Sequence, residues 1–146
     1  MPVRIVKTGP VNISRLLQFR GYRQVITGKN IHGHRWTVEI EVGDKYLIQE
    51  GTTREMVVDF GDLKKDLRSK TEELDHCLIM EKGTLKETTL EALLSENFRI
   101  LQFNFRPTAE NLAKFFYQYM ADKGYHVVKA SVFETPNNVA SYTEEA

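Results

Sequence analysis

The chain has 146 residues, with 20 basic and 20 acidic side chains and a formal charge of zero. This length suits one domain, residues 1–146, able to bury a core without staples, and 41% hydrophobic with 27% charged residues excludes disordered and collagen-like chains. Balanced charge lacks the basic excess of a general nucleic-acid binder, no apolar run approaches the ~20 residues of a membrane span, and MPVRIVKTGP has no apolar stretch of signal-peptide length, so a cytoplasmic location without membrane partners is expected.

In chain order, Val3 to Lys7 and Val11 to Phe19 can be strands forming a ribbon with Arg35 to Val42. In that last segment Trp36, Val38, Ile40 and Val42 alternate with polar residues, the period of a half-buried strand. Gly43-Asp44 ends it, and Tyr46 to Ile48 reads as a returning stub. Met56 to Asp59 reads as a short strand. Asp59 or Asp62 then caps a helix over about 60–74, whose apolar stripe is Phe60, Leu63, Leu67 and Leu74. Glu87 to Ser95 suits a short helix, and Phe98 to Phe105 an apolar strand. Thr108 is the N-cap expected of a helix over 108–123, with Glu110 at its positive end, Gly124 at C′ and an apolar face of Leu112, Phe115, Phe116, Tyr119 and Met120. His126 to Glu134 alternates as a strand, Pro136 to Asn138 turns, and Val139 to Tyr142 closes as a strand, leaving a polar tail. Helices that do not alternate strictly with strands predict an α+β fold, an antiparallel sheet with two helices on one face.

A single cysteine, Cys77, excludes an intrachain disulfide and any multi-cysteine metal site. A metal would need carboxylates and the four histidines, His32, His34, His76 and His126. Carried backwards, the strand alternation puts His32 and His34 on the face of Trp36 and Val38, about 7 Å apart at Cα. Two imidazoles so placed either converge on a metal or are core or turn histidines; catalytic zinc takes three protein ligands, and this pattern supplies two. Asp75-His76, at the end of the first long helix, is either a tuned general acid–base pair or a histidine favoured by the helix C-terminus. Glu134 shares a face with Val128, Ala130 and Val132. It either reaches water at the strand end or accepts two adjacent N–H groups from a planar ligand such as a pterin or guanine. Cys77 reads as a nucleophile or a small buried hydrophobe. Arg20, Arg23, Lys29 and Arg35 around the histidine pair could hold phosphates or form a solvated face.

Together and in this order, HGHRWTVEIEV at 32–42, MVVDFGDLK at 56–64, LDH at 74–76, PTAENLA at 107–113 and FETPNNVASY at 133–142 resemble the 6-pyruvoyl-tetrahydropterin synthase / 6-carboxytetrahydropterin synthase family. The resemblance covers about residues 30 to 142. It implies the tunnelling fold, in which subunits close into a trimeric barrel, usually doubled to a hexamer, with active sites between subunits. It further implies a lyase acting on 7,8-dihydroneopterin triphosphate or a related pterin, in tetrahydrobiopterin or queuosine biosynthesis. In that reaction a zinc held by three histidines polarises the side-chain hydroxyls, and a cysteine aided by an Asp-His pair moves the proton as triphosphate leaves. Carried over by position, His32 and His34 match two zinc ligands and Asp75 and His76 the catalytic pair. Glu134 matches the pterin anchor, and Thr108 lies in the pocket-lining PT segment.

Two positions depart from the family pattern. Gly28 stands four residues before His32, where the family has its cysteine. No histidine precedes His32, and the segment that should carry the first zinc ligand, Asn12 to Leu16, offers Ser14 or Arg15 instead. Cys77 and His126 are the spare candidates. The resemblance therefore implies a homo-oligomeric pterin lyase with an atypical centre and two of three zinc ligands; the alternative is a non-catalytic scaffold of the same fold that binds a pterin- or purine-like ligand.

Overall fold

The computed structural model describes residues 3–6, 13–15, 23–27, 30–44 and 47–144. Its elements are β1 (Val3–Val6), β2 (Ile13–Arg15), β3 (Arg23–Thr27), β4 (Asn30–His34), β5 (Thr37–Asp44), α1 (Phe60–Leu74), β6 (Leu78–Glu81), α2 (Glu87–Ser95), β7 (Ile100–Phe103), α3 (Ala109–Asp122), β8 (Val127–Thr135) and β9 (Asn138–Tyr142).

The alternating segment becomes β5, the centre of the larger sheet. Its inward residues Val38, Ile40 and Val42 are fully buried. β8 runs antiparallel beside it and β9 antiparallel beside β8. On the other edge β1 pairs parallel with Val38 to Glu41, and β2 pairs antiparallel with Val42 to Asp44, so two short strands share one edge. The expected N-terminal ribbon thus exists along β5, although only residues 13–15 of the expected second strand are described. A second sheet has the order β4-β3-β6-β7, with β3–β4 antiparallel and β3–β6 and β6–β7 parallel. The α+β class holds, with one correction. There are two sheets, each containing both strand senses; in the smaller one α2 and its loops return the chain to the same end for β6 and β7. The short helix expected over Glu87 to Ser95 is present as α2.

The core lies between the larger sheet and the helices α1 and α3. Leu63, Leu67 and Leu74 of α1 and Leu112, Phe116 and Met120 of α3 pack with Trp36, Ile40, Ala130 and Val132. Both long helices therefore cover one face, as expected. Each fully buried leucine contributes on the order of 2–5 kcal/mol against truncation to alanine. α2, by contrast, has no buried residue. Phe60 leaves the stripe predicted for it and is 41% exposed, because it occupies the first helical position, ahead of the buried Leu63.

Local chemistry sets the helix ends. Asp59 caps α1, its carboxylate accepting from Asp62 N at 3.2 Å. α3 ends with the Gly124 amide on the Ala121 carbonyl and the Tyr125 amide on the Met120 carbonyl. Gly124 has φ +97°, the left-handed residue such an ending needs. Tyr125 then ties α3 to α1, its hydroxyl donating to Asp66 Oδ2 at 2.5 Å. Burial, then this carboxylate, raises the phenol well above its ordinary value.

Three further expectations are corrected. Met56 to Asp59 is not a strand; the chain turns there, held by Ile48 N on Met56 O and Glu55 N on Ile48 O. The apolar run after α2 forms a strand only over Ile100–Phe103, and Phe98 is exposed. β8 pairs Glu41 with Lys129 but Val42 with Val127, so Val128 is an extra, exposed residue at a bulge and Val127 takes its place in the core.

Candidate active site

His32 and His34 lie on β4, and β4 is not a backward extension of β5. Arg35 and Trp36 separate them, and the chain changes sheet there. The two histidines are alternate residues of their own strand, but that strand belongs to the smaller sheet.

Its register brings two motifs together. Gly33 pairs with Gln24, and Gln24 pairs with Leu78 on its other side. One residue beyond Gly33, His34 stands opposite Arg23; two residues before Leu78 stands His76. The histidine pair and Asp75-His76 therefore meet at one end of this sheet, with β3 between them, their chains about 10 Å apart. Gly28, Arg20 and Lys29, and the segment that lacks the first family histidine apart from Ile13, Ser14 and Arg15 in β2, lie outside the described residues.

Asp75 is the C-cap of α1, and its Oδ2 lies 3.2 Å from His76 Nδ1. The contact places the donor proton on Nδ1 and leaves Nε2 as the open nitrogen. The His76 side chain is 74% exposed while that of Asp75 is 29% exposed, so the carboxylate sits behind the imidazole. His76 has φ +52°, an uncommon backbone state for a residue with a Cβ. Cys77 follows directly but points into the core, with its Sγ 3.6 Å from the Leu78 carbonyl; this is the small-hydrophobe alternative, not the nucleophile.

Glu134 stands near the end of β8, half-buried, in a cleft of about 280 Å³. Ala109 and Glu110 from the first turn of α3, Asn137 from the β8–β9 turn and Asn138, Val139 and Ala140 from β9 complete it. Thr108 caps α3 beside this cleft: its Oγ1 accepts from Asn111 N at 3.2 Å, leaving the hydroxyl proton as a donor. Asn111 Nδ2 is fixed on the Arg106 carbonyl at 2.9 Å, so the PTAEN segment is held at both ends. The sequence relates Glu110 only to the helix dipole; the β8–β9 hairpin, which brings Asn137 and the start of β9 to the same cleft, makes it a wall.

The cleft and the histidine motifs lie toward the same end. Thr37, the first residue of β5, pairs with Phe133, the neighbour of Glu134. Three residues back along the chain is His34, a span of at most about 11 Å. His126 lies at the other end of β8, exposed beside Asp44 and Lys123, and does not join this group. Among the side chains described, no three His, Cys, Asp or Glu converge on a common point that could hold a metal; those of His32 and His34 are not among them. As a donor set the pair falls one short of the three protein ligands of catalytic zinc. Among the described residues no helix is long and apolar enough to cross a membrane.

The fold is shared with known proteins. The solved structure of WS1659 from Wolinella succinogenes, an uncharacterized protein, superposes with a TM-score of 0.71 at 19% identity, covering 87% of this chain and 95% of that one. The 6-pyruvoyl tetrahydropterin synthase of Caenorhabditis elegans does so with 0.61 at 16% identity, covering 95% and 99%. In sequence, the 6-carboxy-5,6,7,8-tetrahydropterin synthase of Aquifex aeolicus is 32% identical over 138 residues, 88% of this chain and 83% of that relative. The protein of the same name from Haemophilus influenzae is 30% identical over 120 residues, 80% and 84%. The family model described as 6-pyruvoyl tetrahydropterin synthase matches residues 18–145. With the match running through both sheets and all three helices, the chain belongs to the 6-pyruvoyl tetrahydropterin synthase family.

Proposed function

We propose that this protein is a tetrahydropterin synthase-like lyase acting on 7,8-dihydroneopterin triphosphate or a related pterin, through a centre that departs from the family pattern. The observation that carries the reading is Glu134, a half-buried carboxylate in a cleft walled by the N-terminus of α3 and the β8–β9 turn. An amino-pyrimidinone edge offers two adjacent N–H donors to such a carboxylate, and the Thr108 hydroxyl is at hand beside it. The names of the Aquifex and Haemophilus relatives favour a 6-carboxytetrahydropterin as product.

With Gly28 at the position of the family base, proton transfer falls to Asp75-His76. The carboxylate orients the imidazole through Nδ1, and Nε2 takes the proton from the substrate side chain and returns it to the departing fragment. His32 and His34 would hold a zinc ion, which would polarise the hydroxyls of the substrate side chain.

Gly28 also favours a second reading, a scaffold that binds a pterin- or purine-like ligand without turning it over. Turnover of 7,8-dihydroneopterin triphosphate by the purified protein, measured beside calorimetric titration with neopterin, separates the two. Binding with turnover lost in His76→Ala supports the lyase. Binding without any turnover supports the scaffold, and absence of both removes the pterin assignment.

A further inference from the structure

We propose that Arg99 is the positioning residue of the Asp75–His76 pair, an inference that rests on reading that pair as the proton-transfer group. Arg99 immediately precedes β7, and it holds the segment around His76 from both sides. Its carbonyl accepts from Leu78 N at 2.9 Å, which starts the β6–β7 ladder. Its guanidinium turns back over the end of α1, where Nη1 donates to the Asp75 carbonyl at 2.9 Å. Nη2 donates to the Glu73 carbonyl at 2.9 Å and approaches that of Glu72 at 3.5 Å. His76 and Cys77 are thus suspended between two anchors provided by one residue.

The suspended segment needs such anchors. His76 sits at φ +52° without being glycine, a conformation that persists only where the surroundings impose it. The helix does little to impose it, because the last intrahelical contact, Asp75 N to Glu72 O, is 3.3 Å long and α1 carries no basic residue in its last turn. The terminal carbonyls and the negative end of the helix dipole are therefore met by Arg99, 24 residues on from Asp75. A planar fork reaches two carbonyls at once in fixed geometry; an ammonium group on a flexible stem does not. Arg99 acts only through the backbone of the pair, and its own guanidinium is occupied on carbonyls.

The test compares Arg99→Ala, Arg99→Lys and His76→Ala in the full chain. Arg99→Ala should lower kcat for 7,8-dihydroneopterin triphosphate at least tenfold, with KM and the neopterin Kd within twofold of wild type, since the Glu134 cleft is untouched. Millimolar guanidinium should restore part of kcat, and Arg99→Lys should recover less than half. Hydrogen exchange provides a readout independent of turnover: the amides of Asp75, His76 and Cys77 should exchange at least tenfold faster in Arg99→Ala, with β5 and β8 unchanged. A wild-type kcat in Arg99→Ala beside an inactive His76→Ala overturns the positioning role alone, as does unchanged exchange at 75–77. Full turnover in His76→Ala overturns the reading of the pair, and the role of Arg99 falls with it.

Discussion

On the proposed reading, replacing Glu134 separates ligand recognition from proton transfer, because the carboxylate sits on β8 and the His76 imidazole in the turn between α1 and β6. A hydrogen bond to a charged group contributes about 1.5–3 kcal/mol. Two such bonds from the pyrimidinone edge would contribute twice that in a closed site, but Glu134 is only half-buried in a cleft open to water, so about 1.5–3 kcal/mol in total is the reasonable expectation. Glu134→Ala should therefore weaken neopterin binding by roughly tenfold to a hundredfold. Glu134→Gln should weaken it as well, since the amide presents a donor to a donor edge and keeps one acceptor. A side chain near the end of β8 carries little of the core, so Tm should shift by no more than about 2 °C in either variant. Isothermal titration with neopterin or biopterin, with thermal melts alongside, makes the measurement. Wild type that fails to bind at high micromolar ligand, or Glu134→Ala that binds as tightly as wild type, would refute the reasoning.

Zinc added to the purified protein should be stripped by chelator dialysis, because two imidazoles fall short of a full ligand set, and His32→Ala should abolish what binds; stoichiometric zinc surviving dialysis would instead establish a third ligand. Tyr125→Phe removes the hydroxyl that joins α3 to Asp66 of α1 and should cost about 1–2 kcal/mol in urea melts near neutral pH. The folded state holds the phenol protonated above its unfolded value of 10.0, so that contribution is intact below pH 10.0 and fades as the pH rises toward the folded value; a wild-type advantage that persists unchanged through the alkaline range would contradict the bond. Thr108→Ala removes the N-cap of α3 and should lower stability by about 1 kcal/mol, with a further loss of pterin affinity if its hydroxyl donates to the ligand.

The parts legible in the sequence are those fixed by local periodicity and capping. β5, α1, α3 and their caps at Asp59, Thr108 and Gly124 follow from alternation, a helical stripe and single residues with defined backbone roles. Pairings between distant segments were not legible. That β4 leaves β5 for a second sheet depends on partners 23–27 and 78–81, and nothing in the alternation of residues 32–42 marks the break at Arg35-Trp36. The bulge at Val128 shifts one residue against Glu41 and Val42, which inverts the inward set only locally and leaves the apolar pattern almost unchanged. At the candidate site, motif order singles out Asp75, His76, Glu134 and Thr108, but not their neighbours: Glu110 becomes a wall of the cleft only through the β8–β9 hairpin, and Arg99 reaches α1 across 24 residues with no local signal.

The same geometry makes a prediction about assembly. A proton-transferring imidazole works best where water is excluded and its partners are fixed, yet the His76 side chain is 74% exposed and the Glu134 cleft opens at the surface of the chain. Beside that cleft runs β9, which pairs only with β8 among the described strands and carries Val139 at 51% exposure. An unpaired edge with an exposed apolar residue is a surface that proteins pair or protect, so a second copy of the chain meeting β9 would supply the missing wall and satisfy the edge in one step. The protein should therefore scatter light as an oligomer, and its specific activity should fall as the oligomer is diluted toward dissociation. Val139→Lys places a charge on that edge, and because Val139 also lines the Glu134 cleft its readout is assembly: it should shift the population toward monomer while far-ultraviolet circular dichroism stays unchanged. A wild-type monomer with full turnover, or a monomeric Val139→Lys as active as wild type, would show that one chain closes the site alone.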